Sequence, residues 1–352
     1  MRYLNLDNVM IGSKLGKSII YNENQVLLRE GAILTDGLIS RLKEKNISYV
    51  YVDDELSKEV QIEENIPLTL KNSISVALSK VNIDDTIENA KKMADKIYDS
   101  NNISVENYDV NTKEEYDHSI FVAELSVVLG KALNYRQERL NELAAAALLH
   151  DVGKNCVDEK SMEEYGVYDL LKRLGLNCTI DKYRDSIHAF LGYSILNKNV
   201  AASAMMKQAV LFHHENVDGS GDLKITGDRI CEFAKIIHIA NDFSRMITDA
   251  EKYNIHNTSE VIEYFKSNSG TKYDTNLVNV FFYQISLYPP GITVELSNGM
   301  SAIVAQNNTA FPSRPIVILE NGMKIDLSNI KYQSLTIIGV DLNIKKVINK
   351  QL

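Results

Sequence analysis

Histidine and carboxylate are spaced along this chain in a way that suits a metal centre. Glu114 lies four residues, about one helical turn, before His118, and His150 is followed at once by Asp151. His188, the pair His213-His214 and then Asp242 come further on. Neutral imidazole and carboxylate are the donors that hold iron, manganese, zinc and related divalent ions. These donors are scattered over about 130 residues. Only a folded domain can gather them, unlike the close spacing of a local metal-binding finger, and that predicts a catalytic centre.

The elements that must do the gathering are helical. After His118, apolar residues at Phe121, Leu125, Val128 and Leu129 recur with a 3.6-residue period. Residues 141–150 (NELAAAALLH) form a helix of good formers that ends on His150 and Asp151. Gly153 then suits a helix end or a close backbone approach. Ser186 is placed to cap the helix that carries His188. A helix over 201–214 delivers the histidine pair, and Asp228 opens the next, with Ile230, Phe233, Ala234 and Ile237 as its apolar stripe. Asp242 lies near that stripe, where a carboxylate without a partner is costly.

Before this region, 18–21 and 25–28 read as two strands joined by Asn22-Glu23-Asn24. A short amphipathic helix with Leu38, Ile39 and Leu42 follows, and then a strand at 49–52. The charged, Asn-rich stretch after it carries a helix over 86–98. Beyond Tyr288, runs at 292–296, 301–304 and 315–319 alternate with Gly, Asn and Pro turns, as strands of a small sheet or barrel do.

Composition narrows the function classes. The 352 residues are 45% hydrophobic, enough for real cores, with a formal net charge of −9. An acidic chain argues against a general nucleic-acid surface, whereas an anionic small ligand stays open because bound metal supplies local positive charge. Cys156, Cys178 and Cys231 show no CxxC spacing, so reduced thiols are expected. The start MRYLNLDNVMIG lacks a basic region before an apolar core, and no apolar run approaches the length of a membrane span. The expectation is a cytoplasmic protein with no membrane and no nucleic-acid partner.

The string His150-Asp151-Val152-Gly153-Lys154 resembles the HDxGK motif of the HD superfamily of metal-dependent phosphohydrolases. His118-Ser119, His188-Ala189-Phe190-Leu191-Gly192, the run from His213 to Gly221 and Ile239-Ala240-Asn241-Asp242-Phe243 follow in the order of its HD-GYP branch, which hydrolyses cyclic di-GMP. The resemblance implies His118, His150, Asp151 and Asp242 as ligands, with Asp151 bridging. It adds His188, His213 and His214 as ligands of that branch, and Glu114 as the extra carboxylate of trinuclear members. Two or three divalent ions, iron or manganese by analogy, are then the cofactors. Two ions sharing a carboxylate supply hydroxide at neutral pH and neutralise the phosphate oxygens of a poor electrophile. Asp151 and Lys154 are the implied catalytic residues, and Lys154, Asp218, Gly219 and Lys252 the substrate contacts.

Each assignment has a plainer rival. Glu114 in Lys113-Glu114-Glu115 also reads as a solvated charge, Lys154 as a cation at a helix end, and 218–221 as a turn. His238 is read as structural and His256 as a surface residue.

This sequence also departs from the pattern. Gly221-Asp222-Leu223 stands where the branch has Gly-Tyr-Pro, and Ala189 replaces a proline. Glu251-Lys252-Tyr253 stands where Arg-x-Tyr is usual, leaving Lys252 as the cation there. These changes strike the substrate-facing loops. The alternatives to a cyclic di-GMP phosphodiesterase that forms pGpG or GMP are therefore an enzyme for another cyclic dinucleotide and a weak or inactive effector. An effector would bind nucleotide or a signalling protein such as a diguanylate cyclase; a homodimer is also open. The expected fold is mostly α: an all-helical HD-type domain over 111–285, a small α+β module over 1–55, a helical connector over 56–110 and a β-rich segment over 286–352.

Overall fold

The structure, a computed structural model, describes residues 1–21, 25–45, 47, 49–60, 62, 66–100, 116–176, 186–249, 252–253, 255, 258–285, 288–308 and 310–340. Glu114, Cys178 and His256 lie outside these residues.

Near the N-terminus the hairpin, the helix and the strand at 49–53 form, and two further strands join them. Strands β1 (Arg2–Asn5), β2 (Lys14–Leu15) and β5 (Tyr49–Asp53) form an antiparallel sheet in the order β1-β5-β2. A separate hairpin pairs β3 (Ile19–Tyr21) with β4 (Gln25–Leu28). Helix α1 (Asp36–Glu44) begins at Thr35, whose Oγ1 accepts a hydrogen bond from the Leu38 amide at 3.3 Å. It buries Ile39 and Leu42 against Leu4, Leu15, Val50 and Val52.

The helical body follows, with α2 (Leu68–Ser79), α3 (Ile83–Asp99), α4 (Asp117–Ala132), α5 (Gln137–Leu148), α6 (Glu159–Glu164), α7 (Val167–Arg173), α8 (Ile187–Asn197), α9 (Ala204–Phe212), α10 (Glu232–Thr248), α11 (Thr258–Ser267) and α12 (Thr275–Gln284). The stretch read as a connector carries α2 and α3. Helix α3 sets Ile83, Ala90, Met93, Ala94 and Ile97 into the same core as α4 and α5. Residues Ala144 to Leu148 of α5 are all buried, and four consecutive alanines let neighbouring helices pack close around it.

Several helix starts differ from expectation because side chains found other partners. Helix α9 begins at Ala204, where Ser203 Oγ accepts from the Met206 amide at 3.1 Å. Asp228 does not open α10; it accepts from Thr226 Oγ1 at 2.7 Å in the preceding turn, and Cys231 takes the cap position. The Ser186 hydroxyl does not cap α8 either, since it donates to Asp222.

The C-terminal strands β6 (Thr293–Leu296), β7 (Ser301–Gln306), β8 (Ile316–Leu319), β9 (Lys324–Asp326) and β10 (Ile337–Val340) form one antiparallel sheet ordered β10-β6-β7-β8-β9. Its inner face, with Val294, Leu296, Ala302, Val304 and Val317, joins the core of the helical body. The Tyr3 amide donates to Gly291 O at 2.8 Å, tying the first strand to the last sheet. Among the described residues, no helix is long and apolar enough to cross a membrane.

Candidate metal centre

Four helices and one tight turn converge on Asp151. His150 and Asp151 follow α5, and a single 3-10 segment, Val152–Cys156, leads the chain away. Gly153 sits against α8: a Cβ there would collide with His188 O and lie 2.8 Å from the Gly192 amide. Absence of a side chain therefore lets the turn carrying Asp151 touch the first turn of α8, the close approach the sequence suggested. The contact brings His188 Nε2 to 3.0 Å from Asp151 Oδ1.

The imidazoles fall into two sets that share Asp151. One consists of Asp151, His188, His213 and His214; the other of His118, His150 and Asp151, with donor atoms in each set within 4.8 Å of one another. His188 Nε2 lies 3.3 Å from His213 Nε2 and 3.1 Å from His214 Nε2. His150 and His213 are oriented from behind: each donates Nδ1–H to a carbonyl one turn earlier, Ala147 O and Val210 O, both at 2.7 Å. That bond fixes the tautomer and leaves the Nε2 lone pair facing inward.

A divalent cation fits this donor set. His150 Nε2 and Asp151 Oδ1 are buried without a well-aligned hydrogen bond, although His188 Nε2 lies 3.0 Å from that oxygen, a state a buried polar pair does not tolerate cheaply. Burial, followed by the charge of His150, pushes the His118 imidazole down to about 3. Burial and then the neighbouring His188 push His214 down to about 2. Burial also lowers His188 and His213. Burial alone would raise the Asp151 carboxyl, but His150 and His188 outweigh it and hold Asp151 well below the usual range. Neutral imidazoles around an ionised carboxylate are the protonation states that metal binding requires.

Asp242 does not join the expected ligands. Its carboxylate accepts from Tyr273 Oη at 2.6 Å, pairs with Lys272 Nζ at 2.7 Å and faces His238 Nε2 at 3.3 Å. Burial opposes its ionisation, yet His238 and Lys272 hold it far below the ordinary carboxylate range. The residue that reaches the cluster is the preceding one. Asn241 is fully buried, and its Oδ1 lies 2.9 Å from His118 Nε2. One residue on a helix is a rotation of about 100°, so 241 and 242 face opposite neighbours. Asn241 Nδ2 is buried without a partner, a state that costs about 1–3 kcal/mol.

Beside the cluster opens a cavity of about 460 Å³, lined by His118, Asp151, Lys154, Asn155, Arg245, Lys252 and neighbours. Lys154 Nζ contacts Asp151 Oδ2, and Arg245 Nη2 lies 3.7 Å from the same oxygen. Lys252 lines the cavity. Asp218 and Gly219 do not: Asp218 is exposed and its Oδ1 accepts from the Ser220 amide at 2.9 Å, while Gly219 holds a turn at φ 82°. Glu215 and Asp222 shape that loop from behind, Glu215 Oε1 accepting from the Leu223 amide at 3.0 Å.

Arg245 and Asn241 were missed in the sequence. Their signal is spacing: 241, 245 and 248 recur at helical intervals on one face of α10, ahead of the cation at 251–253.

Comparison with known proteins finds relatives of this chain. Cyclic di-GMP phosphodiesterase PdeB of Borreliella burgdorferi is 27% identical over 241 residues, 66% of this chain and 59% of that protein. Cyclic di-GMP phosphodiesterase PA4108 of Pseudomonas aeruginosa is 24% identical over 207 residues, 56% of this chain and 46% of its own length. A cyclic di-GMP phosphodiesterase of Thermotoga maritima is 23% identical over 48% of this chain and 44% of that one. The chain thus spans about half the length of the curated relatives it matches. A solved structure, the HDG"Y"P protein Bd1817 from Bdellovibrio bacteriovorus, superposes with a TM-score of 0.48 at 16% identity, covering 79% of this chain and 97% of that one. The HD domain family model matches residues 84–277, from the start of α3 into α12 and across every described histidine of the cluster. With more than half of its length inside that match, the chain belongs to the HD domain family.

Proposed function

We propose that this protein is a metal-dependent phosphodiesterase acting on cyclic di-GMP, opening it to pGpG or carrying it on to GMP. The observation that carries the reading is the cavity whose floor is the His118 and Asp151 edge of the cluster and whose wall holds Lys154, Arg245 and Lys252. Three cations gathered at one site in a chain of net charge −9 suit a phosphodiester. The relatives named as cyclic di-GMP phosphodiesterases support the choice of substrate.

Asp151, His118, His150, His188, His213 and His214 would hold the divalent ions, iron or manganese by their mixed imidazole and carboxylate donors. Bound there, such ions supply Lewis acidity toward a phosphate oxygen and a nucleophile from water at neutral pH. The protein's own part is positional. Lys154 and Arg245 bind the non-bridging oxygens, Lys252 steers the second phosphate, and the buried histidine rings keep the reacting edge dry. Glu114, beyond the described residues, remains a candidate ligand.

A second reading is a phosphodiesterase for a different cyclic dinucleotide. It is favoured by the loop 221–223, where Asp222 is occupied by the Ser186 hydroxyl and Leu223 by Glu215. Incubation of the Mn(II)- or Fe(II)-loaded chain with a panel of cyclic dinucleotides, resolved by chromatography, tests both. Appearance of pGpG from cyclic di-GMP at the highest rate is the expected result; faster cleavage of another member selects the second reading.

A further inference from the structure

The two halves of the cluster are unequally prepared for a cation. On one side Asp151 Oδ1 faces His188 at 3.0 Å and His213 at 3.8 Å, and His214 closes the group. His213 is held by Val210 O through Nδ1, and its Nε2 faces inward, 3.3 Å from His188 Nε2. On the other side stand His118, His150 and Asp151 Oδ2, with Asn241 as the neighbouring side chain.

Asn241 weakens that second side twice over. Its Oδ1 accepts from His118 Nε2, the nitrogen the imidazole would offer to a metal, while His118 Nδ1 meets Ser244 Oγ at 2.9 Å. Turning the amide over leaves Nε2 engaged, now as an acceptor. The amide is also neutral. Asp151 is the sole carboxylate of the two described ligand sets, and its Oδ2 already faces Lys154 and Arg245. Two divalent ions would place four positive charges beside those two cations with one described carboxylate between them. Charges of like sign repel strongly in a buried setting.

We propose that the centre is asymmetric: Asp151, His188, His213 and His214 hold one divalent ion tightly, and the pocket of His118, His150 and Asn241 takes a second one weakly, in exchange with free metal. The inference rests on the metal-centre reading above and deepens it. Occupancy of the second pocket then tracks the free metal concentration, which makes the site responsive to metal supply.

Titration of the metal-stripped full chain with Mn(II), followed by the electron paramagnetic resonance of the free ion and by metal analysis after gel filtration, tests it. The native chain should retain one equivalent and bind a second with affinity about tenfold to hundredfold weaker. Asn241→Asp should retain two. His118→Ala should keep the tight equivalent and His214→Ala should lose it; Asp242→Asn should keep it. Retention of two equivalents by the native chain, or of one by a folded Asn241→Asp, overturns the asymmetry. If Asn241→Asp fails to fold, loss of the tight equivalent in His118→Ala overturns it instead. Absence of any uptake by the native chain would sink the metal-centre reading itself.

Discussion

Asp151 carries more of this site than any other side chain. Its two oxygens face His150, His188, His213, Lys154 and Arg245 within 3.8 Å. Asp151→Asn keeps the shape and removes the charge, so bound metal should fall to background and turnover with it, while circular dichroism stays native. Arg245 lines the cavity, and the proposed function gives it a substrate phosphate rather than a metal ion. A charge-assisted hydrogen bond is worth about 1.5–3 kcal/mol, so Arg245→Ala should lower kcat/KM for cyclic di-GMP about tenfold to hundredfold with metal content unchanged; loss of metal in that variant would contradict the assignment. At this scale the sequence was legible for the histidines because each is one of few in the chain and lies beside a recognisable motif. It did not separate Asp242, which meets Tyr273 and Lys272, from Asn241, which meets His118. Both Asn241 and Asp242 follow the stripe of Phe233, Ile237 and Ala240, and only the packing of α10 decides which of two adjacent residues faces the cluster.

Helices and turns set the geometry those residues need. The crossing of the 152–156 turn on α8 depends on Gly153, where a methyl group would run into the His188 carbonyl and the Gly192 amide. Gly153→Ala should destabilise the fold by about 1–3 kcal/mol and weaken metal retention, as His188 is pushed from Asp151. Gly37→Ala, in α1 where nothing lies within 4 Å, is the matched control and should leave both unchanged; equal effects of the two would refute the crossing as the cause. Asp242, Lys272 and Tyr273 instead pin α10 to the turn between α11 and α12. Lys272→Ala should lower Tm and leave metal content as it was. Helix existence was readable from periodicity in α4, α5 and α10. Their starts were not, because Asp228 and Ser186 have partners in space that the local sequence does not announce.

Across the whole molecule the core runs without a break from α3 through the helical body into the C-terminal sheet. Val60, next to the first module, packs with Ile303, Ala305 and Ile318 of that sheet. Deletion of 286–352 should therefore lower Tm and expose apolar surface that binds a hydrophobic dye; an unchanged Tm would show the sheet to be a separate unit. Three of its strands were legible from alternation and turn residues. The pairing of β10 with β6 was not, since it joins segments about 40 residues apart and no local pattern encodes a partner at that distance.

The decisive measurement is the rate of cyclic di-GMP hydrolysis by the metal-stripped chain as Mn(II) is added back, with bound metal determined on the same samples. Formation of pGpG should rise from zero with bound metal and be absent throughout in Asp151→Asn. Full metal occupancy with cyclic di-GMP left intact would contradict the proposed function.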